Sequence, residues 1–234
     1  MHQWVCAGFV CAAIYLVPGF PLVTGGLDLT RIDLAAGIPR VTYAAMVMLS
    51  ITIGVWIVSR TVGISPDPVP ALGGPPALTW AALIAASFLA VAGWATMFNS
   101  PLPMVLASGV IAVIANVPRL ILLQHGIANH VATFVGCVII GLACHLAGVW
   151  FKMTKIIMTV PTMLVMIPGS SALRTLIYFD QADVVQAMRN AIATVLAVIA
   201  MVAGLSAARM LTDPEWAFTR PDPPQLGLRA LRRS

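Results

Sequence analysis

Long apolar stretches alternate with short polar breaks along most of this chain. Crossing about 30 Å of hydrocarbon as a helix takes about 20 apolar residues. Seven stretches reach or approach that length, so the pattern predicts an all-α polytopic membrane bundle of about seven spans, with some helices broken. The predicted spans cover residues 4–23, 41–62, 78–98, 101–123, 127–150, 155–178 and 184–210.

Prolines and glycines mark where this pattern is interrupted. Residues 63–77 contain five prolines and three glycines, which preclude a helix and predict a linker. Pro161 and Pro168 lie inside the sixth apolar stretch, so we expect a broken helix there. The predicted organisation is two spans in residues 1–62, the linker, five spans in residues 78–211 and a basic tail in residues 212–234.

Composition indicates a membrane protein rather than a soluble one. Hydrophobic residues make up 60% of the 234 residues and charged residues only 9%, with a mean hydropathy of +0.96. A soluble domain carries about 25% charged residues. We therefore expect a multi-pass protein of the cell membrane, with membrane lipid as one of its partners.

Positive charge is unevenly distributed and predicts the orientation. When seven spans are counted, nine of the 13 Lys and Arg residues fall on the side of the C-terminus, which is therefore predicted to be cytoplasmic. Four arginines cluster in the tail, which indicates anchoring at the membrane surface rather than binding of nucleic acid. The tail arginines are Arg220, Arg229, Arg232 and Arg233.

The dipeptide Pro-Gly occurs twice, each time at the end of an apolar run. Pro18-Gly19 precedes Asp33 and Pro168-Gly169 precedes Asp183, in both cases with fifteen residues from proline to aspartate. This shared context predicts an internal repeat. The two copies are offset by five predicted spans, and an odd offset gives them opposite orientations. Inverted-topology repeats with interrupted helices are typical of secondary transporters.

The segments around the two motifs resemble the threonine/serine exporter family. VPGFPLVTGGLDLTRIDLAAGIPR is similar to the end of that family's first transmembrane half, and FNSP followed by IPGSSALR is similar to its second half. The resemblance implies a five-plus-five inverted repeat that exports small amino acids such as threonine and serine by alternating access, with proton-coupled antiport as the expected driving mechanism.

The same resemblance leaves a second interpretation open. The family's pattern includes a soluble N-terminal domain and three further spans in the first half, which have no counterpart in these 234 residues. The alternative is therefore a non-transporting or half-transporter membrane subunit that needs a partner to supply the missing spans. A second copy of the chain is the other protein partner that we consider.

The Pro-Gly breaks are the predicted substrate site. A helix interrupted there exposes backbone N–H groups at the start of its second half, and these groups, with the helix dipole, favour a carboxylate. The alternative is that Pro-Gly simply ends one helix and redirects the chain. The candidate residues are Pro168, Gly169, Ser170 and Ser171 in the second copy and Pro18, Gly19 and Thr24 in the first.

Acidic residues near the breaks are candidates for ion coupling. Asp33 and Asp183 occupy matching positions, with Asp28 and Asp180 close by. Carboxyl groups near a membrane are costly unless paired, and one with a raised pKa could carry a proton. The alternative is that Asp33 and Asp183 cap the helices that follow. His145 lies inside a predicted span and is a candidate proton shuttle or, alternatively, an interhelical hydrogen-bonding residue.

Enzymatic activity is not indicated. The chain contains no G-x-S-x-G or H-E-x-x-H motif, and its single glutamate, Glu215, lies in the tail. His125 and His130 have no cysteine or carboxylate neighbours, so neither a catalytic metal nor a cofactor is predicted. The expected ligand is a small amino acid.

Overall fold

The computed structural model describes residues 18–62, 75–151 and 156–213, and nearly all of these residues are helical. The described residues form eight α-helices and one short 3-10 segment, without a strand, so the all-α prediction is confirmed. The helices are α1 (Gly19–Thr30), α2 (Leu34–Val62), α3 (Pro76–Met97), α4 (Leu102–Gln124), α5 (Asn129–Phe151), α6 (Ile156–Met163), α7 (Gly169–Asp180) and α8 (Val184–Thr212). The 3-10 segment, Leu164–Met166, follows α6 directly.

Five of these helices, α2, α3, α4, α5 and α8, are long and apolar enough to cross a membrane. The segments Ile157–Met166 and Gly169–Phe179 make a sixth candidate as a pair, and they meet at a bend of 44°. The break predicted in the sixth apolar stretch is therefore confirmed, and it lies next to Pro168. The described part of the chain thus has five or six candidate spans, as expected for a multi-pass membrane protein.

The boundaries predicted around the first Pro-Gly motif are wrong. Residues 24–40 are expected to lie between two spans, but α1 and the first turns of α2 occupy most of them. The carboxylate of Asp33 accepts a hydrogen bond from the N–H of Ala36 at 3.1 Å, so α2 is capped well before residue 41. Pro39 lies inside this helix rather than ahead of it. The predicted first span, residues 4–23, falls mostly outside the described residues, and its described end belongs to α1.

α1 and α2 form a close antiparallel hairpin. A Cβ atom built on Gly37 would lie 2.7 Å from Cδ2 of Leu29 and 3.1 Å from the carbonyl oxygen of Gly25, and one built on Gly25 would lie 2.9 Å from Cγ2 of Val41. At these separations a side chain at either position would force its neighbours to shift, so glycine at both positions favours the close approach. Residue numbers rise along α1 as they fall along α2, which fixes the antiparallel direction.

The core lies where α5 packs against α8, with α4 and α6 on its other sides. A Cβ atom on Gly204 would lie 2.6 Å from the carbonyl oxygen of Phe134 and 2.9 Å from Cβ of Cys137, and one on Gly141 would overlap Ala208. Residue numbers rise together along this contact, so α5 and α8 run in the same direction. This direction favours a broken α6–α7 pair that crosses the membrane over one that re-enters, because a re-entrant pair would leave α5 and α8 antiparallel.

The segment after each Pro-Gly motif has the same backbone form; we call residues 18–62 the first unit and residues 168–212 the second unit. α1 and α7 each have 12 residues, and α2 and α8 each have 29. The link in each unit contains a residue in the left-handed region, Ile32 or Ala182, both with φ of 60°. The next residue is an aspartate whose N–H closes the preceding helix, at 3.0 Å in the first unit and 2.9 Å in the second. Each residue of the first unit thus has an equivalent 150 positions later.

Candidate functional site

The two Pro-Gly breaks lie side by side. Pro18 has φ −77° and ψ 67°, Pro168 has φ −79° and ψ 47°, and a helix begins directly after each. Gly19 is buried, and a Cβ atom built on it would lie 2.5 Å from Cδ2 of Leu164 and would overlap Cδ1 of Ile167. Because Ile167 directly precedes Pro168, the structure brings together the two motifs that the sequence places 150 residues apart.

The second break offers two backbone donors. The N–H of Gly169 donates to the carbonyl of Ile167 at 2.8 Å, and the N–H of Ala172 donates to the carbonyl of Pro168 at 3.1 Å. Within the first turn of α7, the N–H groups of Ser170 and Ser171 remain outside these bonds. Ser170 is exposed and Ser171 half-buried, whereas the Pro-Gly pair is buried. This helix start can therefore present N–H groups to an anionic group.

The first break is poorer in donors. Its equivalents of Ser170 and Ser171 are Phe20 and Pro21, and proline has no N–H group. The hydroxyl of Thr24 donates to the carbonyl of Phe20 at 2.8 Å, so its proton is used within α1. The structure thus places Thr24 near the first break but gives its hydroxyl an intrahelical partner.

Asp33 and Asp183 both cap helices, which was the alternative considered for them. Oδ1 of Asp33 accepts from the N–H of Ala36 and Oδ1 of Asp183 accepts from the N–H of Gln186, each at 3.1 Å. A helix of 12 residues, about 18 Å long, separates each carboxylate from its own Pro-Gly break. The structure therefore does not bring these two candidates to the paired breaks.

Asp28 belongs to a group of charges at the end of α1. It forms an ion pair with Arg40 across the α1–α2 hairpin. Arg209, near the end of α8, interacts electrostatically with Arg31, Asp213 and Asp28. The sequence makes Asp28 a coupling candidate but does not point to Arg209 or Asp213, because these two residues come near Asp28 only through the packing of α8 against α1.

The last two coupling candidates lie elsewhere. Asp180 ends α7, and its side chain lies outside the described part of the structure. His145 lies on α5, and its Nδ1 is buried without a hydrogen-bond partner among the described residues. The interhelical hydrogen bond considered for His145 is thus not seen at this nitrogen. The preceding residue, Cys144, is buried and lies close to Thr159 and Thr162 of α6.

A polar network links α3, α4 and α5 and is centred on Arg119. Nε of Arg119 donates to Oγ1 of Thr133 at 3.4 Å, Nη1 to Oδ1 of Asn116 at 3.2 Å, and Nη2 to Oδ1 of Asn129 at 3.0 Å. Nδ2 of Asn116 donates in turn to Oγ of Ser87 at 2.9 Å. The sequence alone does not predict that these side chains form one hydrogen-bonded network. The available signal was the pairing of Asn116 and Arg119 three positions apart on an otherwise apolar helix.

Comparison with known families matches most of the chain. The family model described as Threonine/Serine exporter, ThrE matches residues 83–211, more than half of the chain. A second threonine/serine exporter model matches residues 5–62. Neither the curated proteins nor the solved structures give a match.

Proposed function

The chain belongs to the threonine/serine exporter family, whose members are transporters rather than enzymes, and we propose that it exports small amino acids such as threonine and serine through a site at the paired Pro-Gly breaks. The observation that carries this proposal is the packing of Gly19 against Leu164 and Ile167. Two helix starts that meet inside a membrane protein give a substrate polar backbone groups at a place where lipid offers none.

The direction of the helices supports an inverted repeat. A Cβ atom on Gly26 would overlap Cγ2 of Val202, and the hydroxyls of Thr30 and Ser206 lie 3.2 Å apart. Residue numbers rise together along this contact, so α1 and α8 are parallel. Because α1 and α2 are antiparallel, the equivalent helices α2 and α8 run in opposite directions. Two units of opposite orientation around one site are suited to alternating access.

We assign the substrate carboxylate to the N–H groups of Ser170 and Ser171, where the α7 dipole adds to the attraction. The two units rock against each other at the Gly19 contact, which opens the breaks to one membrane face at a time. Gly19 packs closely on Leu164 and Ile167, and the donors of Ser170 and Ser171 are replaced by Phe20 and Pro21 in the first unit, so the first unit acts as the hinge surface and the second unit holds the ligand.

Proton-coupled antiport is the proposed driving mechanism. Among the candidates Asp28, Asp33, Asp180, Asp183 and His145, the histidine has the strongest support. Its Nδ1 is buried without a hydrogen-bond partner among the described residues, and an imidazole nitrogen can donate or accept a hydrogen bond. Asp28, Asp33 and Asp183 already pair with an arginine or cap a helix.

A half-transporter that needs a partner is the second candidate function, and Gly54 favours it. Gly54 is the equivalent of Gly204, which packs on the backbone of α5. No described atom lies within 4 Å of a Cβ built on Gly54. In the second unit, α5 packs beside Gly204 of α8. Among the described residues, no helix occupies the equivalent position beside Gly54 of α2. In this version of the proposal, a partner supplies that helix.

The deciding experiment is reconstitution of the full-length chain in liposomes loaded with radiolabelled L-threonine under an imposed pH gradient. Gradient-dependent efflux from liposomes that contain this chain alone supports the complete exporter. Efflux that requires a co-reconstituted partner supports the half-transporter. Absence of efflux under both conditions, with correctly inserted protein, contradicts both.

A further inference from the structure

Arg119 carries a positive charge that no carboxylate of its neighbourhood in the chain can balance. Residues 68–179 contain neither aspartate nor glutamate, so α3 to α6 supply no acidic side chain. A guanidinium has five N–H donors, and the three hydrogen bonds of Arg119 go to neutral oxygens. The ion pair between Arg40 and Asp28 lies at a different place. Charges inside membrane helices are costly unless paired, and they mark ligand or ion pathways.

The network around Arg119 is organised in advance. The amide of Asn116 donates to Ser87, whose hydroxyl donates to the carbonyl of Leu83 at 2.7 Å. This chain orients the Asn116 amide so that its oxygen faces the guanidinium. Thr133 is fully buried, and Asn116 and Ser87 are 7% and 5% exposed. The neutral acceptors position the guanidinium and solvate it but leave its charge unbalanced.

The helices that carry the network, α4 and α5, also contact Met166, two residues before the second Pro-Gly break. A Cβ atom on Gly136 would lie 2.9 Å from Cε of Met166 and 3.5 Å from the carbonyl oxygen of Ala115. Met166 thus sits between α4 and α5 just before the break at Pro168. Arg119 follows Ala115 by four residues on α4, which is about 6 Å along the helix.

We propose that Arg119 is an oxyanion-binding residue that receives the carboxylate of the exported amino acid on its path past the second break. The unused N–H groups of its guanidinium supply charge-assisted hydrogen bonds, which are stronger than those from the neutral backbone donors of Ser170 and Ser171. The inference rests on the proposed function for its choice of oxyanion. A phosphate of an anionic lipid presents the same chemistry, and the test separates the two.

The test measures ligand binding by the full-length chain in phosphatidylcholine nanodiscs. The probes are L-threonine, L-threoninamide, which lacks the carboxylate, and phosphatidylglycerol added to the disc. We expect wild-type protein to prefer L-threonine over L-threoninamide by about tenfold or more, because the neutral amide lacks the negative charge that pairs with the guanidinium. Arg119→Gln should remove most of this preference. Arg119→Lys should keep part of it, because lysine keeps the charge without the planar fork.

Arg189→Gln provides the matched control, since Arg189 is an exposed arginine on α8. It should bind all three probes as wild type does. The proposal is overturned if both Arg119 variants keep the wild-type preference for L-threonine over L-threoninamide and phosphatidylglycerol stabilises them as much as it stabilises the wild-type protein. Loss of only the phosphatidylglycerol effect in Arg119→Gln supports the site and identifies the oxyanion as lipid phosphate. If the glutamine variant does not fold, wild-type binding by the lysine variant overturns the proposal. Absence of L-threonine efflux from wild-type liposomes contradicts the proposed function separately.

Discussion

The two Pro-Gly units have the same backbone form but very different surroundings. In the most apolar window of α2, 6% of the residues are buried, compared with 44% in α8. The difference is clearest at two equivalent glycines, because Gly204 packs on the carbonyl of Phe134 while no described atom approaches Gly54. The comparison teaches that local sequence determines the helix–link–helix form, whereas burial depends on which neighbouring helices are present.

A second difference lies at the breaks themselves. The second unit begins its short helix with Gly169, Ser170 and Ser171, whereas the first unit has Phe20 and Pro21 at the last two of these positions. The repeat therefore keeps the bend in both units but keeps the backbone donors mainly in the second. Under the proposed function, packing and ligand binding are therefore divided unequally between the two units.

The largest effect is expected from leucine at the two equivalent glycines. Gly204→Leu should destabilise the protein by about 1–3 kcal/mol or more, because its side chain has no room beside Phe134. Gly54→Leu should change the stability of the isolated chain by less than about 0.5 kcal/mol. Unfolding midpoints in detergent provide the measurement. Equal losses in the two variants would show that α2 is already packed as α8 is.

The next effect tests the donors at the breaks by exchanging residues between equivalent positions. Ser171→Pro should weaken L-threonine binding by about tenfold, because it removes an N–H group that bonds the carboxylate. The helix start should tolerate it, since the first unit carries Pro21 in the same geometry. Ser171→Ala, which keeps the N–H, is the control, and Pro21→Ser should have little effect. An equal loss in the alanine variant would assign the role to the hydroxyl instead.

The aspartate caps should behave alike in the two units. Asp33→Ala and Asp183→Ala should each cost about 1 kcal/mol, and the asparagine variants much less, because asparagine also caps helices well. We expect the asparagine variants to retain L-threonine efflux at normal abundance in the membrane. Loss of pH-driven efflux in Asp33→Asn or Asp183→Asn, with unchanged stability, would instead identify that carboxylate as a coupling group.

The smallest effect concerns the link residues with positive φ. Ile32 is a β-branched residue at φ 60° and is 80% exposed, so Ile32→Gly should relieve backbone strain without loss of core packing. We expect a gain of about 1 kcal/mol, and a smaller gain for Ala182→Gly. Chemical denaturation in mixed micelles can compare the two variants. No gain in either would mean that the surrounding structure already relieves the strain.

The sequence predicts the regular parts of this fold well and its polar contacts poorly. The bounds of α3, α4, α5 and α8 agree with prediction to within a few residues, because apolar stretches of span length end at prolines or polar loops. The sequence predicts the start of α2 several residues too late, because the charge of Arg40 indicates a polar loop. In the structure Arg40 lies within α2 and its charge is paired with Asp28 across the hairpin.

In the candidate site, too, the backbone breaks are predictable from the sequence and the polar contacts between helices are not. The meeting of the two breaks follows from the repeat, which is visible in the sequence. The Arg119 network could not be derived in that way, since its members come from three helices and only their packing brings them together. The capping role of Asp183 was recognisable as an alternative because Asp183 directly precedes the helix whose N–H group it accepts a hydrogen bond from.

The most direct test of the central claim is L-threonine efflux by Gly19→Leu compared with Gly93→Leu. Both variants place leucine at a glycine in a described helix, but a Cβ on Gly19 would overlap Ile167, whereas no described atom lies within 4 Å of one on Gly93. If the paired breaks form the transport site, Gly19→Leu should lose efflux by about tenfold or more at equal incorporation into liposomes, because the two breaks can no longer meet. Gly93→Leu should transport as wild type does. Wild-type efflux by Gly19→Leu would contradict the account.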